Sequence, residues 1–217
     1  VILFTENNSE VTGFDTPTFA LYIDGTAIYW QGDRQSGKYV TAKLSQSQVS
    51  ELAQTAHLDK VESFSNCYSI DDATDAPTNR LVVKTSQGFK AIEVSGVVRD
   101  MKNVSPKRLP VDLQIAFRTL LAFHADEAHL WQPPYFEVIL GPFAYAKSAQ
   151  PWPANFPDLT DTKARALKNS YHLFVPISKL SEYQAFERGI QPTQAVLIGG
   201  RKWTTSARFP FPHESAP

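Results

Sequence analysis

The residues of this chain that could carry chemistry are few: one cysteine, five histidines and a close group of aspartates. Cys67 could act as a nucleophile with His57 or His124 as its base, provided a cation or a helix N-terminus holds the thiolate. The local string Ser65-Asn66-Cys67-Tyr68 carries no nucleophile signature, so packing is the expected role of this single cysteine. Asp71, Asp72 and Asp75 offer the hard oxygen ligands that calcium takes, and they are the metal candidates of the sequence. Their spacing lacks the alternation of a calcium loop and no glycine turns the chain after them. A solvated acidic loop is therefore expected, with Asp75 capping local backbone. A hydrolase built on these carboxylates is the alternative enzymatic reading. Among His57, His124, His129, His172 and His213 no two stand four apart, and the five-residue spacing of His124 and His129 fits a helix face poorly. No Gly-x-Ser-x-Gly, phosphate-binding loop or dinucleotide fingerprint occurs. No catalytic residue is assigned and no cofactor is expected.

A second kind of chemistry is adhesion. Trp131, Tyr135, Phe143, Tyr145, Trp152 and Phe156 fall within a short, Pro-rich span. Exposed, they would form a surface for a protein or glycan ligand. Buried, they would close a lid over a sheet, which is the usual fate of large aromatics. Residues 141–169 read as one long loop, a length that inside a domain points to function or to packing by the loop's own aromatics.

The elements that must position these residues follow from local pattern. Thr18–Ile23, the Asp24-Gly25 dipeptide and Thr26–Trp30 predict a hairpin. A strand is expected at 39–43. Ser45 then opens a helix: Ser45 and Gln48 form a capping box, Leu44 and Val49 a hydrophobic staple, and Val49, Leu52, Ala53 and Ala56 an apolar stripe. Residues 59–79 read as irregular and acidic. Arg80–Thr85 and Phe89–Ser95 predict a hairpin turning at Gln87-Gly88, and Pro110 starts a helix with Leu113, Phe117, Leu120 and Leu121 inward. Strands are expected at Phe136–Leu140 and Tyr171–Ile177, a helix from Ser181 to Gly189, and a last hairpin turning at Gly199-Gly200.

These elements predict an α+β fold of antiparallel sheets with helices on one face. Lys43–Gln48 lines up with Lys179–Gln184, so two similar strand–helix–hairpin halves are expected. The divisions are a lead-in at 1–16, halves at 17–128 and 129–212, and a tail at 213–217.

Composition sets outer limits. Charged residues are 20% of the 217 and the net charge is -1, without the basic surplus of a nucleic-acid binder. The densest basic group, Lys102, Lys107 and Arg108, reads as a solvated loop. With one cysteine there is no internal disulfide and no paired-cysteine zinc site. No apolar run reaches the roughly 20 residues of a membrane-spanning helix. The sequence begins at Val1 rather than Met, from which removal of a signal or anchor segment is expected.

Four strings carry a family resemblance. Gly13-Phe14-Asp15-Thr16-Pro17-Thr18-Phe19 running into Leu21-Tyr22-Ile23-Asp24-Gly25-Thr26 resembles the start of a group of bacterial secreted proteins and lipoproteins of unknown function. Asp75-Ala76-Pro77-Thr78, Pro151-Trp152-Pro153 and Gly199-Gly200-Arg201-Lys202-Trp203 are similar to further shared elements. The resemblance implies an extracytoplasmic protein, periplasmic, secreted or lipid-anchored. It carries no catalytic residues. The resulting expectation is a binding or interaction protein that uses a sheet face or the aromatic loop.

Overall fold

In the computed structural model, which describes residues 1–7, 16–33, 37–73, 75–167 and 169–214, the chain divides into two compact units, 1–131 and 132–217. The first is built on eight strands: β1 (Ile2–Asn7), β2 (Phe19–Leu21), β3 (Thr26–Gln31), β4 (Lys38–Lys43), β5 (Cys67–Ser69), β6 (Thr78–Thr85), β7 (Gly88–Ser95) and β8 (His129–Leu130). They lie in the order β5-β7-β6-β1-β2-β3-β4-β8, antiparallel except at β5–β7. Alternation decides which face is covered. Ile2 and Phe4, Phe19 and Leu21, Ala27 and Tyr29, Leu81 and Val83, and Ile92 and Val94 are all buried in one cluster. A period of two puts each pair on the same side of its strand. The helices α1 (Gln46–Thr55) and α2 (Val111–Leu121) and the 3₁₀ segment Leu58–Ser63 bring Leu52, Leu113, Phe117, Leu120, Leu58 and Val61 to that cluster.

The second unit carries β9 (Tyr135–Pro142), β10 (Ser148–Pro151), β11 (Arg165–Leu167), β12 (Ser170–Pro176), β13 (Gln194–Ile198) and β14 (Arg201–Arg208), with α3 (Leu180–Arg188) between β12 and β13. The order is β10-β13-β14-β9-β12-β11, antiparallel except at β10–β13. Phe136, Val138 and Leu140 of β9 pack with Leu173, Val175, Val196, Ile198, Trp203 and Tyr183 of α3 in a separate core. The protein is thus α+β, with two mostly antiparallel sheets and their helices. No helix among the described residues is long and apolar enough to cross a membrane.

Several local expectations need correction. Residues 1–16 are not simply a lead-in, because Ile2–Asn7 is a strand paired on both sides, with β2 and β6. Its polar end hides the pattern, but Ile2 and Phe4 alternate into the core. The first hairpin turns through four residues rather than two. Tyr22 N–H donates to Thr26 O and Gly25 N–H to Tyr22 O, leaving Ile23 80% exposed. Gly25 has φ +83°, and a Cβ there would stand 2.4 Å from Leu44 O. The β6–β7 turn is Ser86-Gln87, one residue earlier than read, since Thr85 pairs with Gly88. Residues 59–79 contain a 3₁₀ segment and β5, and 141–169 contain β10 and β11. Pro151 ends an edge strand, where its missing N–H leaves no ladder bond unmade.

The order strand–helix–hairpin recurs as β4–α1–β6–β7 and β12–α3–β13–β14, but the pairing differs. In the first unit the leading hairpin strand, β6, joins the interior through β1. In the second it is the trailing strand, β14, that joins β9. The starts of the two helices differ as well. Ser45 caps α1 with the full capping box, whereas α3 begins at Leu180 from Lys179 with no side-chain cap.

Candidate functional site

The aromatic residues singled out in the sequence go to three places. Trp152 and Phe156 pack into the second core: the Trp152 ring meets Phe156, Phe186 and Tyr183 edge-on at 5.4, 5.6 and 6.3 Å, and its indole N–H donates to Pro157 O at 2.9 Å. Trp131 lies in the first unit, edge-on to Tyr39 at 5.9 Å. Tyr135 accepts a hydrogen bond from Lys163 Nζ at 2.7 Å. Phe143 and Tyr145 form a further pair, 4.8 Å apart and edge-to-face, in which Phe143 is half-buried and Tyr145 is 85% exposed.

The chain neighbours of that pair, Pro142 and Ala144, line an open groove of about 560 Å³, while Phe143 and Tyr145 themselves stand outside its lining. Pro142, Ala144, Asn169, Tyr171, Arg201, Lys202 and Trp203, with Gly200, line it. The lining comes from the end of β9, the start of β12 and the start of β14, three neighbouring strands of the sheet. Ile198 pairs with Arg201, so Gly199-Gly200 is a two-residue turn, with φ +57° and +74° as such a tight hairpin requires. The turn sets Arg201 and Lys202 at the groove's rim. Tyr171 meets Trp203 edge-on at 5.3 Å and forms its aromatic side.

The support of Tyr145 is rigid. Phe143 N–H donates to Lys202 O at 3.0 Å, and Ala146 N–H closes a turn onto Phe143 O at 3.1 Å. The Lys202 ammonium donates to Ala146 O at 2.5 Å. Ala146 is buried beneath this turn. The tyrosine is therefore presented by a pinned turn, not by a loose loop. Lys202 is committed to that turn, whereas the Arg201 guanidinium has no partner among the described residues.

A different cluster occupies the other side of the second sheet. Glu137, 3% exposed, accepts from His172 Nδ1 at 2.5 Å and lies 2.5 Å from Arg208 Nε. That second contact is an ion pair off the line of a hydrogen bond. Arg208 Nη1 continues to Glu214 Oε1 at 2.7 Å, and the other oxygen of Glu214 takes Phe211 N–H. Ser170 Oγ stands 3.4 Å from His172 Nε2, which completes the hydroxyl–imidazole–carboxylate order of a nucleophilic hydrolase. Two facts argue against that chemistry. The Ser170 hydroxyl donates to Leu167 O at 3.0 Å, and Arg208 already neutralises the carboxylate. The cluster is a buried charge network that joins β9, β12, β14 and the segment after β14.

The remaining candidates do not converge. Cys67 is exposed on β5 opposite Glu93. His57, with φ +50°, is tied to Asp112, and His124 to Ala122 O. Lys60 and His57 hold the Asp112 carboxyl below the usual range. Asp72 pairs with Arg108, which lowers it likewise, and Asp71 accepts from Ala73 N–H. Among the described residues no group of three or more His, Cys, Asp or Glu could hold a metal ion.

Sequence reasoning flagged Phe143 and Tyr145 but missed the groove beside them. Its signal lay in the string Gly200-Arg201-Lys202-Trp203, which the sequence marks as a hairpin and as a family-like string but not as part of a groove. Of the strings behind the family resemblance, Gly13, Phe14 and Asp15 lie outside the described residues. Pro77 O accepts from Gly96 N–H, and Trp152 belongs to the core. No family model, no curated protein and no solved structure matches the chain.

Proposed function

We propose that this chain is a binding protein whose ligand occupies the groove between Tyr171 and Arg201 and extends from it to Tyr145, the chain neighbour of the groove residue Ala144. The observation that carries the reading is the exposure of Tyr145, at 85%, on a turn fixed by three hydrogen bonds. A tyrosine offers a large amphipathic contact area with little side-chain entropy to lose, and fixing its support in advance lowers the cost of binding. The groove's volume lies within the roughly 300–1,000 Å³ of typical ligand sites. The sequence resemblance to secreted proteins and lipoproteins supports a site of action outside the cytoplasm.

The test is titration of ¹⁵N-labelled protein with a panel of acidic and neutral oligosaccharides and a hexaglutamate peptide. The expected result is amide shifts gathered at residues 142–146, 169–171 and 200–203, abolished in Tyr145→Ala without loss of thermal stability. Shifts gathered elsewhere, or none with any member, would overturn the reading.

A further inference from the structure

Resting on that reading of the groove, we infer that its ligand is a short acidic saccharide whose carboxylate is held by Arg201. Charge gives the sign. Among the described residues, the charged ones lining the groove are Arg201 and Lys202, both cationic, and none is acidic. The surrounding unit, 132–217, holds nine Lys and Arg against six Asp and Glu, within a chain of net charge -1. The unit's acidic groups are engaged elsewhere. Glu137 and Glu214 hold Arg208, Glu182 holds Lys179 and Asn155, and Glu187 holds Tyr183. Asp158 and Asp161 cap local backbone at Thr160 and Lys163. A guanidinium without an internal partner, beside a second cation, favours an anion, and its planar fork matches a carboxylate.

The topology selects the saccharide over a peptide. An extended peptide gains most of its affinity by adding a strand to a free sheet edge. The groove is lined by β9, β12 and β14, each of which has strands on both sides; the edges of this sheet are β10 and β11. A ligand here finds side chains rather than a ladder of main-chain groups. Those side chains are the half-buried ring of Tyr171, the Asn169 amide and the Arg201 guanidinium. Aromatic faces for C–H surfaces, with an amide and a cation for hydroxyl and carboxylate oxygens, suit an acidic sugar.

Calorimetric titration with trigalacturonate, its fully methyl-esterified form and hexaglutamate tests the inference. The acid form should bind, the ester should bind at least roughly tenfold more weakly, and Arg201→Gln should reduce acid binding to the ester's level, as loss of one charge-assisted contact predicts. Equal affinity for acid and ester would overturn the anionic assignment and leave the groove standing. Hexaglutamate binding as tightly as the acid would overturn the saccharide assignment. Absence of trigalacturonate binding would overturn the whole inference, and the broader panel then decides separately whether the groove binds anything.

Discussion

Replacing Glu137 by Gln should destabilise the second unit more than any conservative surface change. The Glu137 carboxylate is 4% exposed and receives His172 on one oxygen and Arg208 on the other. A carboxamide supplies one acceptor oxygen and turns its NH₂ toward the other donor, so one contact becomes a clash of donors. It also strips Arg208, 11% exposed, of its deeper counter-charge. Removing one partner of a buried pair costs roughly 3–5 kcal/mol, and Arg208 keeps Glu214, so the lower end, about 3 kcal/mol, is expected. Melting alone, a unit of this size would lose roughly 12–24 °C; melting together with the first unit, roughly 6–12 °C. Thermal and urea unfolding followed by tryptophan fluorescence reads the difference, since Trp152 and Trp203 belong to the second core. The exposed Arg80–Glu93 pair, 3.9 Å apart, is the control: Glu93→Gln should change nothing measurable. A Glu137→Gln melting point within about 2 °C of wild type would refute the argument that the network holds this sheet to the segment after it.

Ser45→Ala should cost about 1 kcal/mol, since it removes the acceptor of the Gln48 N–H and half of the capping box, while Ser181→Ala should be neutral because no cap bond exists there. Denaturant midpoints at constant slope distinguish the two. Tyr183, in the second core, has its phenol pushed well above the usual range by burial. A folded value above the unfolded one leaves stability intact below about pH 10 and removes it as pH rises beyond that point. Tyr183→Phe should therefore flatten the alkaline limb of a pH–stability curve; an unchanged limb would show that another group governs it.

Much of the fold was legible because it is written in local pattern. The Ser45–Gln48 capping box and the Val49–Leu52–Ala56 stripe needed only neighbours along the chain, and both are present. Ser181 looked equivalent but is not, because α3 continues directly from the 3₁₀ turn Ile177–Lys179, which takes the place of a cap. Ile2–Asn7 was misread because its pairing partners, β2 and β6, lie far along the chain. The charge network was signalled by Glu137 within the apolar run Phe136–Leu140, since a carboxylate in a buried strand demands a partner. Its partners, His172 and Arg208, are identified only by the strand order β14-β9-β12. The groove follows the same rule. Tyr145 was visible as one of the aromatics of a Pro-rich span, but the groove of Tyr171, Arg201 and Trp203 forms only once the strand ends come together.

The claim that ligand binds beside Tyr145 is tested most directly by fluorine NMR of the protein carrying 3-fluorotyrosine at its eight tyrosines. The Tyr145 resonance is identified by its loss in Tyr145→Phe. On titration with the saccharide and peptide panel, the account predicts a saturable shift of the Tyr145 signal, with Tyr171 following and Tyr29, buried in the first core, unmoved. A Tyr145 signal that stays in place with every member of the panel, or while another tyrosine shifts, would contradict it.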